Sequence, residues 1–293
     1  MSSAKDLIVK VIAAKDAIPF VRKHHYSGKV VNNSKLHFGV FLNNQLHGVM
    51  SFGSPLDKRK VLPLVKGTLW NEMLELNRMA FDDILPKNSE SRAISIAMKL
   101  IRKNAPHIKW VLSFADGTQC GDGTIYRASG FVLTSIKVNN QIWEAPTGEV
   151  FNDTSIRPGI GSVQTRNKAY SVFARTSLTD GRSKQQQRAA VAVVSRTTAT
   201  KGSNILETGA SSMKFFKDAG WKPKEGYQLR YIYLIDKTAQ LTVPIIPFSE
   251  IERCGAGMYK GQKRAASIDS DASTFQVEKG GAIPTAALQH IDG

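Results

Sequence analysis

The run LHFGVFLNNQLHGVMSFGSP, residues 36–55, limits the fold more than any other part of the chain. Two apolar runs flank Asn43, Asn44 and Gln45, and that pattern reads as a β-hairpin. Around it, LIVKVIA at 7–13 reads as a strand and AKDAIPFVRKHHYS at 14–27 as a helix, with Ile18 and Val21 facing inward. Asp16 is expected to cap this helix, and Pro19 is placed in its first turn, where proline is tolerated. GTLWNEMLELNRMAFD reads as a buried strand ending near Arg78. SRAISIAMKLIRKN follows as an amphipathic helix with Ile94, Ala97, Met98 and Ile101 on one face, capped by Ser89 or Ser91. KWVLSFAD reads as a short buried strand, GDGTIYRASGF as a tight loop and short helix, and FVLTSIKV as another strand. The order strand, helix, hairpin, strand, helix, strand, short helix, strand implies an α/β (α+β) domain with a mixed central sheet flanked by helices.

After Trp143 the character changes. Residues 144–210 form a basic, apolar-poor insertion or set of loops, YQLRYIYLIDK restores a strand, and LTVPIIPFSEIERC continues as an extended segment broken by Pro244 and Pro247. The expected division is one domain over residues 1–253 and a disordered polar tail over 254–293. The net charge of +16 favours a polyanionic partner, nucleic acid before an anionic membrane. Cys120 and Cys254 are too few and too far apart for a disulfide framework or a structural zinc pair. The N-terminal residues hold no long apolar run, and no stretch approaches the roughly 20 apolar residues that span a bilayer. A cytoplasmic location without membrane contact is expected.

Four groups of residues carry chemistry. The start of the 91–104 helix offers free N–H groups and positive potential, a ready seat for a pyrophosphate, with Ser91, Arg92 and Arg78 near it. Ordinary capping of a helix that follows a core strand explains the same pattern. Tyr126, on the short helix before Gly130, offers a phenol that could donate a proton to a leaving group, although a core tyrosine fits better on this residue alone. Asp116 lies at the C-terminal end of a buried strand, where α/β sheets place functional groups; it could orient an amine or accept its proton, or simply form the turn before Gly117. His24, His25 and Tyr26 offer a base, a metal ligand and a stacking ring, and Cys120 a ligand or nucleophile.

Taken in order, HHYSGK, the hairpin, ELNR, NSESR with its helix, FADG, GTIYRASGF and RYIYLIDK…LTVP resemble the phage Mom proteins, over roughly residues 7–143 and 211–250. The resemblance implies an acyltransferase-like (GNAT-like) fold and conversion of adenine in duplex DNA to its N6-carbamoylmethyl derivative, which protects phage DNA from host restriction. It implies that His25 and Tyr26 belong to the active site, that Asp116 lies by the reacting amine, and that Arg78 and Ser91 help to hold acetyl-CoA or a related acyl donor. Acyltransferases of this class carry a glycine-rich loop before the donor-binding helix; here Asn88-Ser89-Glu90-Ser91-Arg92 has no glycine. The implied product is joined through a CH2 group and ends in a primary amide, so simple acetyl transfer does not make it. Iron enters as a candidate cofactor on the same ground, with no spacing motif to hold it.

Double-stranded DNA is the expected partner, and the basic segment with Arg157, Arg166, Lys168, Arg175, Arg182, Lys184, Arg188 and Arg196 is the candidate DNA-facing surface, unless it is only a solvated loop. Two rivals remain: an N-acetyltransferase acting on a small-molecule or protein amine, and a non-catalytic DNA-binding protein.

Overall fold

The computed structural model describes residues 3–118, 120–139, 141–153, 168–169, 171–172, 216–217 and 220–259, and the backbone of 262–263. Its elements are β1 (Ile8–Val11), α1 (Ala14–His24), β2 (Ser34–Leu42), β3 (Gln45–Gly53), α2 (Lys58–Val61), β4 (Met73–Phe81), α3 (Ser89–Asn104), β5 (Trp110–Asp116), α4 (Thr124–Ala128), β6 (Val132–Val138), β7 (Ile142–Glu144), β8 (Val150–Asn152), β9 (Lys222–Pro223), β10 (Tyr227–Leu234), α5 (Ser249–Arg253), β11 (Met258–Tyr259) and β12 (Gln262–Lys263).

Seven strands form one mixed sheet in the order β1-β2-β3-β4-β5-β10-β6, as the expected α+β class requires. The hairpin falls where the sequence places it. Asn43 and Asn44 adopt φ of 50° and 63° between the paired residues Leu42 and Gln45. Both central residues of a type I′ turn need positive φ, and asparagine tolerates it.

Neighbouring strands are antiparallel except β4 and β5. Their parallel pairing ends at Leu76 and Ser113, although β4 runs on to Phe81 and β5 to Asp116. Beyond that rung β4 stays with β3 while β5 stays with β10, so the sheet splits into a wedge.

α3 covers one face. Ala93, Ile94, Ala97, Met98 and Ile101 are buried with Phe38, Met50, Phe52 and Leu76. Each large apolar side chain so buried contributes roughly 1.5–3 kcal/mol. On the opposite face α1 packs Ala17 and Val21 on Val49 and Ala80, and Val61, Leu64 and Val65 pack on Met73, Trp110 and Leu112.

A register shift between Ser51 and Phe52 gives β4 one extra residue at Asn77. Leu76 and Met79, three apart, therefore both reach the α3 side. Glu75 and Arg78 fall on the face that carries α1.

Several local expectations change. α1 begins after Ala13, which makes no side-chain cap, so Asp16 only sits in the first turn. Pro19 is the sixth helical residue rather than a first-turn one. The Lys15 carbonyl thereby loses its intrahelical donor, and because both residues are exposed, water can take its place. Neither Ser89 nor Ser91 caps α3: Asn88 stands at that position with φ 69°, and Ser89 is the buried first residue. β4 extends to Phe81, three residues past the expected end near Arg78.

The expected tail also begins too early. Ala256 and Met258 are buried, Ala256 in the main core. Tyr227 Oη donates to Cys254 O, and Asp122 N–H donates to Met258 O. A side chain at Gly117 would meet Tyr227 O at 2.9 Å and Met258 Cγ at 3.0 Å, so this close passage needs glycine.

The chain divides into two compact units, residues 1–138 with 227–293, and residues 139–226. The second holds a three-stranded sheet, β8-β7-β9, and its own cluster of Trp143, Ala145, Phe151, Ala169, Val172, Phe216 and Trp221. The segment expected as a basic insertion of loops thus lies within a unit that has an apolar core.

Candidate active site

α1 stops at His24 because His25 turns extended, at φ −80° and ψ 133°, while its N–H still bonds Val21 O. Gly28, at φ +60°, donates its N–H to His25 O and closes the following turn. His25 and Tyr26 are thereby thrown clear of the helix. His25 Nδ1 accepts the Ser27 N–H at 3.2 Å and lies 2.8 Å from Ser27 Oγ, so the neutral ring carries its proton on Nε2. Burial, helped by the nearby Arg78 guanidinium, lowers the His25 pKa to about 4 and keeps the ring neutral at pH 7.

The Tyr26 hydroxyl donates to Asp116 Oδ2 at 3.4 Å, a long bond across 90 residues of sequence. Asp116 ends β5 beyond the last β4–β5 rung, and its Oδ1 accepts the Thr118 N–H at 3.0 Å. Tyr26 is 51% exposed, but desolvation of its hydroxyl end, then the charges of Asp116 and Cys120, raise its pKa above the usual tyrosine range. Arg78 approaches the same place, donating from Nε to Lys29 O at 3.0 Å and from Nη1 to Asn77 O at 2.6 Å. Burial, with Asp116 second, pushes the Cys120 thiol up to about 12. It is therefore a protonated thiol at pH 7 rather than a ready nucleophile.

Tyr126 lies 6% exposed on α4, its ring packed on Phe131 and Tyr231. Burial pushes its pKa up to about 12, although the neighbouring Ser113 hydroxyl pulls the other way. Ser113 itself donates to Leu76 O at 2.9 Å, across the last rung before the wedge. Tyr126 also feels the charges of Cys120 and Glu75, which places it at the same split in the sheet.

The structure brings His25, Tyr26, Arg78 and Asp116 together and sets Tyr126 at the base of the wedge. Ser91 and Arg92 form a separate group at the start of α3. Ser91 Oγ donates to Asn88 O at 3.2 Å, and Arg92 Nη2 to Lys5 O at 3.3 Å. Arg78, expected beside them, instead faces His25 and Tyr26. Among the basic residues singled out for DNA, Lys168 is exposed. Arg157, Arg166, Arg175, Arg182, Lys184 and Arg188 lie outside the described residues, as does Arg196. For a metal, no group of three His, Cys, Asp or Glu able to hold an ion occurs among the described residues. His24 is turned away, stacked on Phe20 with ring centroids 4.3 Å apart. No described helix is long and apolar enough to cross a membrane.

Two further residues escape sequence reasoning. Glu75 sits on β4 one residue before the last rung, and burial raises its pKa to about 7 against the pull of Arg78. Phe114 is 37% exposed in an otherwise buried strand, two residues from Asp116 and so on the same face. The only sequence signals were a carboxylate inside an apolar run and a phenylalanine beside the FAD turn.

The fold and site define a protein with a split mixed sheet whose wedge gathers two phenols, two carboxyl groups, a guanidinium and a neutral imidazole. The Mom protein family profile matches residues 6–190, and the chain belongs to that family. The methylcarbamoylase Mom of Escherichia phage Mu is 44% identical over 129 residues, which is 44% of this chain and 53% of that protein. The match therefore spans about half the length of that relative. Solved structures with likeness include a GNAT-family acetyltransferase from Streptococcus pneumoniae, 11% identical with a TM-score of 0.32, covering 45% of this chain and 88% of that one. Another is a GNAT-family acetyltransferase from Elizabethkingia anophelis with acetyl-CoA bound, 14% identical with a TM-score of 0.30, covering 45% and 80%.

Proposed function

We propose that this chain is a DNA-modifying transferase of GNAT-like fold that converts adenine in duplex DNA to its N6-carbamoylmethyl derivative. Membership of the Mom family and the phage relative named methylcarbamoylase support the activity. The observation that carries the reading is the meeting of Tyr26 and Asp116 at the open end of the β4–β5 wedge, with His25 and Arg78 beside them.

Asp116 is placed to take a proton from the adenine N6 as it attacks. Tyr26, held protonated, fixes the orientation of that carboxylate through its hydrogen bond. Arg78 supplies positive charge near the reacting centre, and neutral His25 adds an N–H donor without a second charge. Glu75, titrating near neutrality, is a second acceptor for protons leaving the site.

An acetyl-CoA-like donor fits the wedge. Beyond Leu76 and Ser113 the facing edges of β4 and β5 no longer pair with each other, so backbone groups there are open to a ligand chain. Ser91 and Arg92 at the start of α3 would meet its phosphates. Bound there, the donor would supply the two carbons; joining its methyl carbon to N6 and ending in a primary amide also consumes an amine nitrogen and a two-electron oxidant, and releases the thiol. Tyr126, protonated up to about pH 12, holds a proton on Oη that can pass to a leaving sulfur.

Reaching an adenine amine inside a duplex requires extruding the base, at a cost of a few kcal/mol. The net charge of +16 offsets that through phosphate contacts. DNA affinity should therefore fall steeply between about 50 and 200 mM salt.

The test is mass analysis of nucleosides from DNA of cells expressing the chain. An adenosine carrying the carbamoylmethyl mass is the expected result. Unmodified adenine together with acetylated amines would replace this reading with that of an N-acetyltransferase.

A further inference from the structure

The structure contains a cavity of about 340 Å³ between α1, the loop after it and the sheet. Branched aliphatic side chains, Ile18 and Val21 of α1 and Val30 of the loop, form its walls. His37 of β2, Ser51 of β3 and Arg78 of β4 form its floor. We propose that this cavity is the pocket for the extruded adenine, read along its floor by the His37–Ser51 pair. The proposal rests on the DNA-modification reading above and adds where, and by which residues, the base is held.

The floor residues lie in one row. His37 pairs with Ser51 across β2 and β3, and Ser51 with Arg78 across β3 and β4. With neighbouring strands about 4.8 Å apart the row is roughly 10 Å long, enough for a purine laid along it. Arg78 stands at one end and also faces His25 and Tyr26. A base lying on the row with its amino edge toward Arg78 thus meets the Tyr26–Asp116 pair, while its far side rests over His37.

The floor chemistry suits an uncharged heterocycle better than an ion. His37 and Ser51 are both buried, 6% and 3% exposed, and their Nδ1 and Oγ lie 2.8 Å apart. Burial lowers the His37 pKa, so the ring is neutral at pH 7. A neutral imidazole and a hydroxyl together present both donor and acceptor capacity, which an adenine edge can match. Arg78 is the one cation among the residues lining the cavity, and it already donates to Lys29 O and Asn77 O. Two of its five N–H groups are thereby committed to backbone carbonyls, and no second cation lines the cavity to complete an anion site. Flipped bases elsewhere are held between apolar side chains and read by hydrogen bonds to an edge, and this cavity offers both.

The test uses the full chain and a duplex carrying 2-aminopurine at the target adenine. That probe brightens on leaving the stack, and the aliphatic walls hold no ring to quench it. Wild type should raise its emission several-fold. Val30→Met, which extends a longer, ringless side chain into the cavity from a partly exposed loop, should at least halve the rise while anisotropy shows duplex affinity within about twofold of wild type. Ser51→Ala, a change too small to fill the cavity, should lower the yield of modified adenine in cells about tenfold with the circular dichroism spectrum unchanged. Modification and brightening at wild-type level in both variants would overturn the pocket and leave the proposed reaction standing. A wild type that brightens the probe, and loses much of this in Val30→Met, but yields no modified adenine would support the pocket and remove the reaction. A wild type that does neither would overturn both.

Discussion

At the mouth of the β4–β5 wedge, Tyr26 and Asp116 meet from 90 positions apart, whereas at the start of α3 the hydrogen bonds of Ser89, Ser91 and Asn88 close within one turn. The first region depends on how α1, β4 and β5 pack. It contains groups displaced from their ordinary titration ranges: His25 near 4, Glu75 near 7 and Cys120 near 12. The second region is built from hydroxyl groups and backbone carbonyls that hydrogen-bond to each other locally. Such displacement arises where burial and neighbouring charges act together, which is how sites for proton transfer are made. A helix start needs only its backbone to attract phosphate. On the proposed reading, proton chemistry belongs to the wedge and donor seating to α3.

The strongest test of that division is Asp116→Asn, which should lower kcat on the order of 100-fold while leaving the donor KM unchanged. Tyr26→Phe should follow in the same direction with a smaller loss. Steady-state kinetics on duplex DNA would check both, and a rise in donor KM without loss of kcat would break the comparison. Tyr126→Phe should cost about tenfold in kcat at neutral pH, since it removes one proton donor and leaves a packed ring.

Glu75→Gln tests the electrostatics of the wedge through stability. The folded-state pKa of about 7 lies above the ordinary 4.5, so the folded protein holds more protons than the unfolded chain between those values. Stability from this group is therefore complete below about pH 4.5 and falls as pH rises through 7. Replacing the acid should stabilise the protein by on the order of 1–3 kcal/mol at pH 8 and change little at pH 4, read by thermal unfolding at the two values. A uniform effect at both would mean that the carboxyl is ordinary.

The smallest effects belong to α3. Asn88→Ala forces an ordinary residue to φ 69° and should cost about 1 kcal/mol. Ser91→Ala should change stability by less than about 0.5 kcal/mol and raise the donor KM a few-fold. A loss of kcat in Ser91→Ala as large as that in Asp116→Asn would erase the distinction between the two regions.

Much of the fold could be read directly. The paired asparagines and their apolar flanks marked the hairpin, and the spacing of Ile94, Ala97, Met98 and Ile101 marked the buried face of α3. Local patterns of this kind are written by the residues that make them. The wedge was not, because the end of a parallel pairing at Leu76 and Ser113 leaves no trace in either strand alone. Nor was the extra residue at Asn77, which turns Glu75 and Arg78 to one face and takes Arg78 away from Ser91 and Arg92. Tyr26, His25, Arg78 and Asp116 were singled out from their local settings and drawn into one site only by the family resemblance, whereas Glu75, Phe114, His37 and Ser51 read as parts of apolar strands. A helix starting at Ala14, as expected, already makes Pro19 its sixth residue, so no packing was needed to correct that placement; the tail boundary moved because tertiary packing lets Ala256 and Met258 reach the interior.

The rung that joins Val138 to Tyr227 has a consequence for how such chains can vary. The polypeptide leaves the large sheet from one partner of that rung and rejoins it at the other, so the two ends of the 139–226 segment are neighbours in the sheet. An insertion whose ends already meet can be lengthened, trimmed or exchanged without altering strand registration in the large sheet. The two units are thus free to diversify at different rates.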